Sequence, residues 1–398
     1  MTAAQAILLV LATPVLVATG YLVLLSLLSR RGRASVPNAP HLRFDVVVPA
    51  HDEERDIAAT VASLHALDYP RELFRVVVVA DNCTDSTATR ARAGGAYVLE
   101  RNEPTLRGKG YALAHAFEHI LAEGHADAVV VVDADTVVSA NLLRAFGVRL
   151  DAGASVLQAD YTVRNPDASW RTRLMAIALA AVHALRSLGR ERLGLSCGLK
   201  GNGMCFTPAL LSAVPHEAFS IVEDLEYGIR LGVAGHRVHY VAEAHVYGEM
   251  PGGERNSRTQ RYRWEDGRSR MVRLHALPLL ARGVRTRDRV LLDLAMDLLV
   301  PPLATLVALT VVGLVASLAL SWWSGHLAEI TWVWVGCALG LCVYGMRGWQ
   351  LSGTGARGLL GLCFAPAYVA WKLALMLRRS AHASGEWVRT ARGEGEVP

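Results

Sequence analysis

Residues 128–135 read AVVVVDAD, an unbroken apolar run that stops at two carboxylates one residue apart. A strand with no polar alternation is buried on both faces, which is the condition of a strand inside a parallel sheet. Further runs repeat the pattern upstream. FDVVV at 44–48 leads into PAHDEE at 49–54, RVVVV at 75–79 precedes Asp81-Asn82-Cys83-Thr84-Asp85, and Ala96–Leu99 makes a third strand. Helical periodicity fills the intervals, as far as Leu67 after the first run and over 108–122 after the third. Short Val-rich strands alternating with helices of about ten to fifteen residues predict an α/β fold with a mainly parallel sheet.

In such sheets ligands bind beyond the carboxyl ends of the strands. Three of the predicted strands end in acid: Asp52 to Glu54, Asp81, and Asp133 with Asp135. One acidic loop is ordinarily a helix cap. Three on one rim point instead to a hard divalent cation, for Mg²⁺ takes one or two carboxylates together with substrate phosphates. The spacing therefore suggests a metal–diphosphate site.

Over the whole chain, 52% of the residues are hydrophobic and 19% charged, a balance that excludes disordered, collagen-like and coiled-coil designs. The apolar excess sits at the ends. Residues 3–28 carry no charge, and 26 helical residues span about 39 Å, more than the roughly 30 Å hydrocarbon core. Arg30, Arg31 and Arg33 follow where a signal peptide would have small residues, so the segment is expected to stay as an anchor with the following chain in the cytoplasm. Three more apolar runs cover about 298–323, 330–346 and 359–377. The expected organisation is an anchor at 1–33, a cytoplasmic domain at 44–280, a membrane region at 290–380 and a tail at 381–398. Four crossings would place the tail outside, against the positive-inside bias of Arg378, Arg379, Arg389 and Arg392. The run at 359–377, with Pro366 and Lys372, is the one expected not to cross. Net charge is +5 and the Arg-rich stretch 255–289 is broken by acids, a pattern suited to lipid headgroups or a diphosphate, with no nucleic-acid module in sight.

Six motifs in order give the chain a family resemblance: VVPAHDEE (47–54), VVVADNCTD (77–85), RGKGYAL (107–113), VVDAD (131–135), VEDLE (222–226) and QRYRW (260–264). The chain resembles the inverting family 2 glycosyltransferases, in particular the membrane-embedded branch of chitin oligosaccharide, hyaluronan, cellulose and poly-N-acetylglucosamine synthases. The resemblance implies a nucleotide-sugar donor in the form of a UDP-sugar, a glycan or lipid-linked acceptor, surrounding membrane lipids, a β-linked product and Mg²⁺ or Mn²⁺ as cofactor. By position it implies that Asp81 and Glu53 hold the base and ribose, that Lys109 lies near the diphosphate, and that Asp133 and Asp135 form the metal site, with Asp135 the direct ligand. Asp224 matches the general base, and Gln260, Arg263 and Trp264 match the Q-x-x-R-W signature of processive members. Two departures stand out: the base motif reads VED instead of TED, and the acceptor region matches 199–205 only loosely. A plasma-membrane, multi-pass enzyme is therefore expected, either processive or transferring one sugar to a polyprenyl-linked acceptor, with a non-catalytic nucleotide-sugar-binding scaffold as the alternative from another class.

The residue types suit that chemistry independently. Displacing a nucleoside diphosphate from a sugar carbon builds negative charge on the leaving oxygens, which a divalent cation, Lys109 and Arg263 would stabilise. The acceptor hydroxyl must lose a proton, a task for a carboxylate such as Asp224, and Trp264 offers a face on which a sugar ring can stack. Other patterns fail on context. HAFEH at 115–119 lacks a third ligand, GTGARG at 353–358 follows no strand, the sequon at Asn82 faces the cytoplasm on this topology, and the six cysteines show neither disulfide nor metal spacing.

Overall fold

A computed structural model describes residues 3–32, 39–249, 254–324, 329–366 and 369–370, with the backbone alone over 254–264. Its centre is an eight-stranded sheet. The strands are β1 (Phe44–Ala50), β2 (Phe74–Asp81), β3 (Tyr97–Arg101), β4 (Ala128–Val131), β5 (Thr136–Val138), β6 (Val156–Val163), β7 (Met204–Phe206) and β8 (His239–Gly248), in the order β3-β2-β1-β4-β7-β6-β8-β5. Strands β3, β2, β1 and β4 run parallel, as do β6 and β8, while β7 pairs antiparallel with both β4 and β6 and β5 antiparallel with β8.

The valine runs are continuous because each strand serves two cores. Val46, Val48, Val76, Val78 and Val130 face one packed layer with Ile57, Val61 and Leu64, and Val47, Val77, Val79, Val129 and Val131 face the other with Leu113, Phe117 and Ile120. Both faces are covered, so alternation disappears. The predicted strands are all present, their ends shifted by one or two residues, and the fourth stops at Val131, one residue short of the apolar run. The third starts at Tyr97 and runs on to Arg101, because pairing with β2 continues to Asp81.

Three helices are long and apolar enough to cross a membrane: Ala4–Leu28, Leu303–Ser324 and Ile330–Ser352. The apolar run expected from 298 divides into two elements. A separate helix, Arg289–Leu299, ends before Pro301-Pro302, two residues without an amide hydrogen to donate, and the long helix starts at Leu303. The last run opens as one short helix, Gly355–Gly361, and a 3₁₀ turn, Leu362–Phe364; Lys372 and the tail lie outside the described residues.

A further helical stretch, Trp170–Arg192, leaves the sheet domain and packs among the apolar helices. It passes through a turn of π-helix at Ala180–Leu185. Ala181 and Leu185 share one core with Leu22 and Leu25 of the first helix and with Trp334, Cys337 and Tyr344 of the third apolar one.

Candidate active site

The carboxyl ends of β1, β2 and β4 meet on one rim, as the parallel register requires. Behind β1 and β2 the two acidic loops lace together. Asp52 Oδ1 accepts from the Thr84 amide at 2.7 Å, Asp85 Oδ2 accepts from the Glu54 amide at 3.1 Å, and the Glu53 amide donates to Thr87 Oγ1 at 2.8 Å. Asp52 and Asp85 lie with Cys83 close enough together to hold a cation, yet both carboxylates already accept backbone amides, and burial pushes the Cys83 thiol up to about 11, away from the thiolate a metal binds. This group reads as a loop staple.

Asp81 is buried at the end of β2 and accepts from Arg101 Nη1 at 2.6 Å and from Asn82 Nδ2 at 3.1 Å. Arg101 itself also donates to the Leu106 carbonyl at 2.9 Å. Its role was invisible in the sequence, where it is one arginine among many; only the pairing of β3 beside β2 brings it to Asp81.

The centre of the rim gathers three of the residues singled out by sequence, Lys109, Asp133 and Asp224, together with Glu223, which was not. Lys109, the first residue of the helix Lys109–Glu123, ion-pairs with Asp133, donates to the Gly201 carbonyl at 2.6 Å and lies 3.8 Å from Glu223 Oε1. A Cβ on Gly201, whose φ is +78°, would sit 3.3 Å from Asp224 Oδ2, so only glycine both adopts this turn and leaves the carboxylate room. Glu223 and Asp224 begin the helix Glu223–Val233. Burial raises both carboxyls, Glu223 to about 7, while Lys109 pulls them down. Burial opposes the charge on Lys109, but Asp133, Glu223 and Asp224 together hold it protonated, above the usual lysine range.

The loop that carries Gly201 is fixed by two buried amides. Gln158 accepts from the Lys200 amide at 2.8 Å and donates to the Asn202 carbonyl at 2.7 Å, while Asn202 accepts from the Asp133 amide at 3.2 Å and donates to Thr136 Oγ1 at 2.7 Å. Neither amide announced itself in the sequence, although Asn202 sits in the stretch 199–205 already associated with the acceptor. Asp135 is half-buried two residues beyond Asp133. With one lysine among Asp133, Glu223 and Asp224, the centre carries excess negative charge, which fits a divalent cation and the diphosphate it would bring.

Gln260, Arg263 and Trp264 lie on the helix Glu254–Thr286, and their side chains are outside the described residues. The helix itself is placed. Gly267, one turn past Trp264, packs against Val222 so closely that a Cβ would come within 2.6 Å of Val222 Cγ1. The signature-bearing helix thus crosses the N-terminus of the helix that carries Glu223 and Asp224. The zinc pattern is answered too: His119 pairs with Glu123 at 3.2 Å and stacks on Tyr97.

Comparison with known proteins places this architecture. The chain is 25% identical over 262 residues to a probable glycosyltransferase, YdaM, of Bacillus subtilis, covering 63% of this chain and 60% of that protein. It is 29% identical over 235 residues to the beta-monoglucosyldiacylglycerol synthase of Synechocystis, covering 57% of this chain and 48% of that one. The chain thus spans about half to three fifths of the length of these curated relatives. Among solved structures, a mannosyltransferase of Pyrobaculum calidifontis in complex with GDP-Man and Mn²⁺ shares the fold at 18% identity, with a TM-score of 0.51 over 87% of this chain and 98% of that chain. Residues 40–267 match the family described as glycosyltransferase like family 2, and since that match takes in more than half of the chain, the protein belongs to this family.

Proposed function

We propose that the protein is a membrane-bound, metal-dependent, inverting glycosyltransferase that moves a sugar from a nucleoside diphosphate, a UDP-sugar, to a lipid-linked acceptor with a β-linkage. The observation that carries this reading is the convergence of Lys109, Asp133, Glu223 and Asp224 around the Gly201 carbonyl on the carboxyl rim of the sheet.

The roles follow from charge and position. Asp81, held by Arg101, and Glu53 line the end of the rim where the base and ribose would lie. Asp133 and Asp135 would hold Mg²⁺ or Mn²⁺, which when bound supplies positive charge to the leaving diphosphate. Lys109 adds a fixed cation on the same side. Asp224 takes the proton of the acceptor hydroxyl as that oxygen bonds to the sugar carbon and the nucleoside diphosphate departs. Burial of Asp224 and Glu223 favours this, since a raised carboxyl pKa makes a stronger base.

A membrane setting is supported by the surface of the apolar helices. Val10, Leu11, Val312, Val315 and Leu339 are more than half exposed, and Trp322 and Trp323, each 89% exposed, stand at the end of their helix, where interfacial aromatics belong. Three apolar helices, with Arg30 and Arg31 after the first, support a reading as a multi-pass plasma-membrane protein whose sheet domain lies on the cytoplasmic side. Processive synthesis is the second reading, carried by the Q-x-x-R-W match at 260–264. Three spans make a small conduit for a polymer, and the relative that makes a glycosylated diacylglycerol favours a single transfer.

The test incubates the full chain in neutral-lipid nanodiscs with a panel of nucleotide sugars, a panel of neutral and phosphorylated lipid acceptors and Mn²⁺, and follows release of nucleoside diphosphate and the anomeric configuration of the product. Chelator-sensitive turnover giving a β-linked lipid is expected. Binding of nucleotide sugars without turnover on any acceptor would instead favour the scaffold.

A further inference from the structure

The segment 214–222 delivers Glu223 and Asp224 to the rim, yet it is neither helix nor strand, so no regular backbone ladder fixes its path. Its start is tied to the core. The Tyr227 hydroxyl donates to the Val214 carbonyl at 2.6 Å, and the His216 ring meets Phe117 and Tyr227 with centroids 5.5 and 4.6 Å away. Arg230 donates to the Glu217 carbonyl at 2.9 Å. Further on, the Ser220 amide donates to Glu226 Oε2 at 3.1 Å and turns the chain into its helix.

Between these ties the segment is held by the helix that carries Lys109. A Cβ on Gly110 would come within 2.1 Å of the Ala218 carbonyl oxygen and 3.2 Å of Phe219 Cα, so the two backbones meet with no side chain between them. Tyr111 then stacks on Phe219, the ring centroids 4.3 Å apart and the planes 11° from parallel. Arg101, the partner of Asp81, stands over the Tyr111 ring at 5.7 Å from its centroid. Neither Tyr111 nor Phe219 belongs to the two packed layers of the sheet, and Phe219 is 43% exposed. Filling a core is therefore not what this ring does. Its main contact is a flat stack on one partner, and such pairs hold a defined geometry.

That geometry bears on the reaction. Lys109 and Tyr111 flank Gly110, and Phe219 lies five residues before Asp224. Lys109 is also 3.8 Å from Glu223 Oε1, so the approach that lays 218–219 on Gly110 also brings the end of the base-bearing helix to the lysine. The Tyr111–Phe219 stack closes this approach from its exposed side. Group transfer tolerates little slack there, since a misplacement of about 1 Å can cost about a hundredfold in rate.

We propose that Phe219, stacked on Tyr111, is a positioning residue for the transfer step: it clamps the segment 214–222 on the Lys109 helix and so holds Asp224 at its working distance from the donor. The inference rests on the transferase reading above and adds to it a residue that acts through Asp224.

The test measures steady-state release of nucleoside diphosphate by the full chain in neutral-lipid nanodiscs, using the nucleotide sugar and lipid acceptor that turn over fastest in the panel above, with the Kd for UDP recorded on the same samples. Phe219→Ala is expected to lower kcat about tenfold or more while the Kd for UDP and the KM for the donor stay within about twofold of wild type, the mark of a contact used only in the transition state. Phe219→Tyr, which keeps the ring, should retain most of kcat, and Phe219→Leu, apolar but unable to stack, should behave like the alanine variant. Tyr111→Ala should cost as much kcat as Phe219→Ala, and the double variant no more than either, because one contact has been removed twice. A kcat in Phe219→Ala within about threefold of wild type overturns the proposal. So does full rescue by leucine, which would make the ring an apolar plug, or losses that multiply in the double variant. If the alanine variant no longer binds UDP, the tyrosine and leucine variants decide: a difference in kcat between them upholds the clamp and equality removes it. A wild type that turns over on no acceptor strikes the transferase reading itself, whereas an active wild type matched by Phe219→Ala removes only the clamp.

Discussion

Two buried charge sets, one on the rim of the sheet and one at the junction with the apolar helices, differ in how they are balanced. On the rim, Lys109 stands among Asp133, Glu223 and Asp224. At the junction with the apolar helices, Arg186 and Arg190 meet Asp293 and Asp297 of the helix Arg289–Leu299, and Arg268 caps the same helix on the carbonyls of Leu298 and Val300. Buried ions left unmatched are costly unless something else completes them. The rim lacks positive charge and suits a divalent cation, whereas the junction pairs two arginines with two aspartates and is complete in itself. Each set can be tested separately.

The largest effect is expected at the rim. Asp224→Asn keeps the shape but cannot accept the proton, so transfer should fall by roughly two to four orders of magnitude while nucleotide binding persists. Glu223, its neighbour, is the internal control: Glu223→Gln should cost less. Should the glutamine variant be the dead one and the asparagine variant turn over normally, the base has been placed one residue too late.

Breaking the junction should act on stability first. Arg190 is almost wholly buried and reaches both Asp293 and Asp297. Arg190→Met leaves Asp293 with only the Tyr21 hydroxyl, and a buried charge stripped of its partner costs about 3–5 kcal/mol. The full chain in detergent should unfold at a lower temperature, and adding Asp293→Asn should restore much of the loss. A methionine variant that melts like the wild type would show that the pair is dispensable.

A smaller change is expected from Asp135→Ala. If Asp135 is a cation ligand, its loss should lower turnover at fixed Mn²⁺ tenfold or more and bring it to the level of chelated wild type. Wild-type turnover that survives chelation would remove the metal from the rim and with it the reason for the negative surplus.

The two regions were unequally legible. The rim could be read because a parallel strand buried on both faces must be apolar along its length, so the valine runs and the carboxylates that end them are visible without a structure. What escaped were Arg101, Gln158 and Asn202, single polar residues whose partners come from other strands. The junction escaped almost entirely. Arg186 and Arg190 look like the solvated face of a helix, and Asp293 and Asp297 like another. Their one signal is a shared spacing: like charges four residues apart on each helix, opposite in sign between the two, which can meet as a ladder. The apolar run from 298 concealed the helix boundary at Pro301-Pro302.

The helix that carries Gln260, Arg263 and Trp264 touches both regions through consecutive residues. Gly267 lies on Val222 at the rim, and Arg268 caps the helix Arg289–Leu299 at the junction. A platform for the acceptor one turn upstream would therefore be held against the base on one side and the bundle on the other. If Trp264 stacks on a sugar of the acceptor, Trp264→Ala removes a contact worth about 1 kcal/mol, roughly a fivefold change in retention. For a processive enzyme that loss recurs at every addition, so products should shorten more than the first transfer slows. For a single transfer, the alanine variant should raise the KM for acceptor a few-fold with product length unchanged at one sugar. Product length by mass spectrometry in Trp264→Ala separates the two, and shortened polymers would assign chain retention to this platform.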